Sequence, residues 1–110
     1  MKALVLVLLF ASTTALADDV LVTQKEKTFI APNGGPSDGG ATELTVKKGQ
    51  TVTFKNEDNV AHNVFSKGAK FNLKIQAPGE QKSFAFDEPG IHEVRCAIHP
   101  RMMLKVTVTP

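Results

Sequence analysis

The chain has a single cysteine, Cys96, among 110 residues, so no disulfide can form within it. It also lacks an apolar run of the roughly 20 residues that a membrane-spanning helix needs. The longest such run, Ala3 to Ala11, falls far short of that. Neither sign of charge dominates: 13 Lys and Arg stand against 11 Asp and Glu. That near balance argues against nucleic-acid binding, which needs a concentrated basic face. No long segment repeats its apolar residues with the helical period, which argues against a helical bundle.

Against these absences stand three features. The first is the N-terminus. Lys2, the apolar stretch Ala3 to Ala11 and the small-x-small triplet Ala15-Leu16-Ala17 read as a signal peptide over residues 1–17. Cleavage after Ala17 leaves one domain, residues 18–110, exported to the periplasm. The formal net charge of +2 falls to +1 with the loss of Lys2. A domain of this size buries only about 60 to 65% of its unfolded surface, so its margin of stability is thin. A metal that binds only the folded state would stabilise it by mass action.

The second feature is a series of short strand-like stretches. They are Val20 to Thr23, Lys27 to Ile30, Leu44 to Val46, Thr51 to Lys55, Ser83 to Phe86, a stretch leading from Pro89-Gly90 to Cys96, and Leu104 to Val108. Val52 and Phe54 alternate onto one face, as do Leu104, Val106 and Val108. Lys47 to Gln50 and Asn56 to Asn59 read as turns, and the Gly- and Pro-rich Asn33 to Gly40 as a loop. Such spacing predicts an all-β chain folded as a β-sandwich.

The third feature is the stretch Cys96-Ala97-Ile98-His99-Pro100-Arg101-Met102-Met103. A thiolate, an imidazole and a thioether within seven residues suit copper better than magnesium or calcium, which prefer oxygen. A trigonal copper site needs a second imidazole, and His62, in Val60-Ala61-His62-Asn63-Val64-Phe65, supplies it from upstream. Strand parity carried back from Leu104 turns Met102 inward and Met103 outward, with Met103 the alternative axial donor. His92 precedes Cys96 by four residues on the same strand, about 13 Å away at 3.3 Å per residue. It is read as a strand histidine, not a ligand. Each of these residues also has a plainer role: cysteine and methionine as core fillers, and a lone histidine as a partly buried side chain.

Ala-His-Asn-Val-Phe, followed by Pro-Gly, a strand and Cys-x-x-His-x-x-Met, resembles the small blue copper proteins, the cupredoxins such as plastocyanin and amicyanin. The short spacing from His99 to Met102 resembles amicyanin most. The resemblance covers the chain after residue 20 and implies a Greek-key β-sandwich. It implies His62, Cys96 and His99 as trigonal ligands of one type 1 copper, with Met102 as a long axial ligand. It implies an N–H···S bond from Asn63 to Cys96 and a tie from the Asn63 side chain to the cysteine loop. The chain departs from the family at Ile98, where proline stands in plastocyanin and amicyanin. Ile98 keeps its N–H, so a second hydrogen bond to the sulfur and a raised reduction potential are expected. His99 is the expected electron exit, within a patch to which Pro100, Met103 and Ala61 contribute. Arg101 reads first as a solvated loop charge; the sharper reading is a basic rim, widened by Lys67, Lys70 and Lys74, that docks an acidic partner.

The function implied is one-electron transfer between redox protein partners by a monomer with no enzymatic turnover. Four protein ligands would leave no open position on the metal. A copper carrier delivering the ion elsewhere is the alternative, distinguished by ready release. A metal-free adhesion or interaction domain would tolerate loss of Cys96 and His99.

Overall fold

A computed structural model describes residues 19–37 and 40–110. The signal-peptide assignment over 1–17 lies outside the described residues. Nine strands are present among the described residues: β1 (Val20–Lys25), β2 (Thr28–Ile30), β3 (Ala41–Lys47), β4 (Gln50–Asn56), β5 (His62–Ser66), β6 (Phe71–Gln76), β7 (Gln81–Phe86), β8 (Gly90–Arg95) and β9 (Met103–Thr109). They form two sheets, ordered β2-β1-β4-β7 and β3-β9-β8-β5-β6. Two pairings are parallel, β1 with β4 and β3 with β9, and the rest are antiparallel. The chain passes between sheets after β2, β3, β4, β6 and β7, making the Greek-key β-sandwich expected from the sequence.

The alternation read in the sequence points inward as predicted. Val52 and Phe54 from one sheet face Leu104, Val106 and Val108 from the other, all essentially buried. Each fully buried side chain of this size contributes about 1.5–3 kcal/mol. Phe29 meets Phe54 edge-on at 6.3 Å, and Phe71 stacks on Phe84 at 4.0 Å. Towards one end the core becomes polar. Asn56 Nδ2 donates to the carbonyls of Val60 and Gln76, and Gln76 Nε2 donates to the Phe54 carbonyl. These bonds shape the Asn56–Val60 turn that delivers the chain to His62.

Two strands were not legible. In β5 four of five residues are buried, so the strand shows no alternation. In β6 the pairing with β5 slips: His62 pairs with Gln76 and Asn63 with Ile75, but Phe65 pairs with Asn72. One extra residue on β6 makes a β-bulge, and Lys74 within it takes φ +68°.

Candidate metal centre

Three segments meet at one end of the sandwich. His62 opens β5, Cys96 directly follows β8, and residues 97–102 form the loop into β9. His62 is fully buried, Cys96 is nearly so, and His99 is half-buried. Their donor atoms converge. His62 Nδ1 lies 3.1 Å from His99 Nδ1, and Cys96 Sγ lies 3.8 Å from the first and 3.9 Å from the second. No other such group of three occurs among the described residues. An ion about 2.0–2.1 Å from each nitrogen and about 2.3 Å from the sulfur, the spacings of first-row sites such as zinc, fits this triangle. A donor set of two imidazole nitrogens and one thiolate sulfur favours copper over oxygen-seeking cations.

Met102, which parity turned inward, is 2% exposed, whereas Met103 is half-buried in β9. The Met102 N–H donates to the His99 carbonyl at 2.9 Å, closing the loop on itself. His92 is not in the cluster. It is buried in β8, with Nε2 2.9 Å from the Glu88 carbonyl.

The surroundings fix the tautomer of His62. Its Nε2 lies 2.8 Å from Asp58 Oδ2. Burial pushes the Asp58 carboxyl up, but the His62 hydrogen bond and backbone N–H groups of Lys27, Glu26 and Asn59 outweigh it and lower its pKa to about 2. The carboxylate therefore only accepts, so Nε2 carries a proton, and in the neutral ring Nδ1 is the nitrogen with a lone pair for a metal. A carboxylate behind a ligating imidazole fixes its tautomer and raises its basicity. Asp58 was missed in the sequence. Its signal there was an acid four residues before a candidate histidine, and nothing local announced how the turn would aim it. Asp58 is held in turn by Asn56 Oδ1, which accepts the Asp58 N–H, and by the Lys27 N–H at 2.9 Å. Lys27 and Glu26 form the two-residue β1–β2 turn, both at positive φ, where glycine or asparagine is usual.

Asn63 bonds as expected. Its N–H donates to Cys96 Sγ at 3.4 Å, and its Oδ1 accepts the Ala97 N–H at 3.0 Å. The second N–H···S bond expected from Ile98 is not formed: among the described residues, Asn63 supplies the only backbone donor to the sulfur. Ala97 N–H is drawn to Asn63, and Ile98 lies on the solvent side, 45% exposed.

His99 reaches the surface in a shallow concavity of about 420 Å³ lined by Lys27, Ile98, His99, Pro100 and Arg101. Burial lowers the His99 pKa, and the nearby His62 and Lys27 add to this. The basic rim differs from the one expected. Lys67 and Lys70 line two other concavities, while Lys27, far upstream of Arg101 in the chain, takes their place. Met103 and Ala61 are not among the lining residues.

Residues 40–109 match the family model of the copper binding proteins, plastocyanin/azurin family. The chain is 33% identical to amicyanin of Paracoccus denitrificans, over 90% of this chain and 86% of that protein. A solved structure of an amicyanin variant in its reduced Cu(I) form at pH 4 superposes with a TM-score of 0.68 at 26% identity, covering 90% of each chain. A purple cupredoxin from Nitrosopumilus maritimus superposes at 0.56 with 33% identity, covering 61% of this chain and 77% of that one.

Proposed function

The chain belongs to the plastocyanin/azurin family of copper-binding proteins, with copper as its cofactor, and from that premise we propose that it carries single electrons between redox partners outside the cytoplasm. The observation that supports this best is the triangle of two Nδ1 atoms and one Sγ. His62, Cys96 and His99 are assigned as the trigonal ligands and Met102 as the axial one. Copper held in such a set changes between Cu(II) and Cu(I) with little rearrangement, because the set suits neither state fully.

The protein's own residues do the rest. Asp58 holds His62 in the ligating tautomer. Asn63 donates to the sulfur and stabilises its electron-rich form. The packed ends of β5, β8 and β9 hold the donors together. Four protein donors would leave a bound metal no open position for water, which supports a carrier and not an enzyme. The half-buried His99 edge, ringed by Ile98 and Pro100, is the exit, and redox partners meet it there. Residues 1–17 direct export to the periplasm, and the mature chain, read as a monomer, begins at Asp18.

The test is the visible spectrum of the exported protein, its N-terminus sequenced, after one equivalent of copper(II). An intense thiolate-to-copper band is expected, bleached by reductant and missing in Cys96→Ser. Loss of the reduced ion to a chelator within one turnover would favour copper delivery over electron transfer. No band at all would remove the type 1 assignment.

A further inference from the structure

The Asn63 carboxamide sits between the cysteine loop and the bulge of β6, and the direction it faces is determined. Lys74 N–H lies 2.8 Å from a side-chain atom of Asn72. A backbone N–H only donates, so that atom is Oδ1. The same Oδ1 lies 3.0 Å from the Asn63 side chain, which must present its amide nitrogen there. The other end of that carboxamide is therefore Oδ1, and it meets the Ala97 N–H at 3.0 Å. Turning Asn63 over would set oxygen against oxygen at Asn72 and donor against donor at Ala97.

Asn72 is in reach because of the bulge. Between the pairs Asn63–Ile75 and Phe65–Asn72, β5 has one residue and β6 has two. The extra residue is accommodated by Lys74 at φ +68°, a conformation costly for a side chain with a Cβ and retained only where surroundings enforce it. The Asn72–Lys74 hydrogen bond is an Asx-turn that enforces it.

We propose that Asn72, on the bulge of β6, is the positioning residue that locks the Asn63 carboxamide and, through it, the geometry of the cysteine loop and the strength of the N–H···S bond. Hydrogen bonding around the sulfur tunes the potential of such a site. An N–H favours the electron-rich thiolate and lessens its donation to Cu(II), so loosening Asn63 should lower the potential. The inference rests on Cys96 as a copper ligand.

The variants are Asn72→Ala and Asn72→Ser, the serine hydroxyl restoring an acceptor for Lys74 and Asn63. Two readouts are taken: the reduction potential of the copper-loaded protein, and amide hydrogen exchange of Ala97 in the metal-free protein. Asn72→Ala should lower the potential and speed Ala97 exchange about tenfold, the loss of roughly one hydrogen bond. Asn72→Ser should recover part of both. A lower melting temperature with potential and exchange unchanged would mean that Asn72 only supports the strand, and the proposal would fall. In the wild type the Asn63 side-chain amide must exchange slowly, and exchange at the solvent rate would overturn the proposal without any variant. If the copper reading itself is wrong, no protein in the series shows a thiolate-copper band, while Ala97 exchange still reports on the carboxamide.

Discussion

The two histidines of the site are chemically identical and placed in opposite ways. His62 has no exposed surface, and its Nε2 is tied to a carboxylate that a turn and a distant hairpin hold in place. His99 is half-buried in a loop of bends and turns, with exposed Ile98 and Pro100 on either side. One imidazole is part of the scaffold and the other is part of the surface. The proposed carrier role would use both: a rigid donor that resists rearrangement between oxidation states, and a donor whose edge a partner can approach.

The sharpest way to break this contrast is to remove each ring. His62→Gly should lose copper and not regain it in millimolar imidazole, because the vacated space is sealed and leaves Asp58 without its partner. His99→Gly should regain the thiolate-copper band with added imidazole, because its place opens to solvent. Titration of imidazole into each copper-treated variant, read at the band, measures both. Equal rescue would mean that the burial difference does not govern access.

Asp58 accounts for much of the difference, and its removal is expected to have the next largest effect. Asp58→Ala should weaken copper binding about 10–100-fold, as losses behind metal-bound histidines do. It should also change the acid response of the metal-free protein. The folded carboxyl titrates at about 2, below its ordinary 3.8. The unfolded chain therefore binds the proton more readily, so the stabilisation is present above about pH 4 and is lost as pH falls towards 2. Chemical denaturation across that window should show a decline in the wild type and a shallower one in Asp58→Ala. Parallel curves would show that the hydrogen bonds to Asp58 contribute nothing to folding.

The same contrast explains what was legible in the sequence. Cys96, His99 and Met102 lie within one short stretch, so their spacing singled them out as candidates, and the alternation of β4 and β9 disclosed the sheet faces. His62 was legible because it has a motif around it. Asp58, Lys27 and Asn72 were not: Asp58 lies only four residues before His62 but its aim depends on the shape of the turn, Lys27 makes its contact 31 residues along the chain, and Asn72 reaches Asn63 across an irregular strand pairing. Lys27 reaches Asp58 from a tight turn with two non-glycine residues at positive φ, and no turn signal of the usual composition marks it. Asn72 depends on a bulge that breaks the period of β6. The expected Ile98 bond failed for a related reason. Keeping an N–H says that a donor exists, but the Asn63 carboxamide decides which loop N–H turns inwards.

The surface histidine should also respond to charge in a way the buried one cannot. Among the described residues, Lys27 and Arg101 are the only Lys, Arg, Asp or Glu side chains lining the concavity around His99, so an anionic partner gains there from attraction at short range. Lys27→Gln and Arg101→Glu should each slow oxidation of the reduced protein by hexacyanoferrate(III), an anionic acceptor, with the larger loss for the charge reversal. A cationic cobalt complex should react at the same rate or faster. Both effects should shrink as salt rises, since a Debye length of about 8 Å at physiological ionic strength screens exposed charges. The potential should move much less than the rates, because Arg101 and Lys27 are exposed and the through-space effect of Lys27 on His99 is screened by solvent and salt. Rates that fell for both probes alike would instead point to a distorted loop.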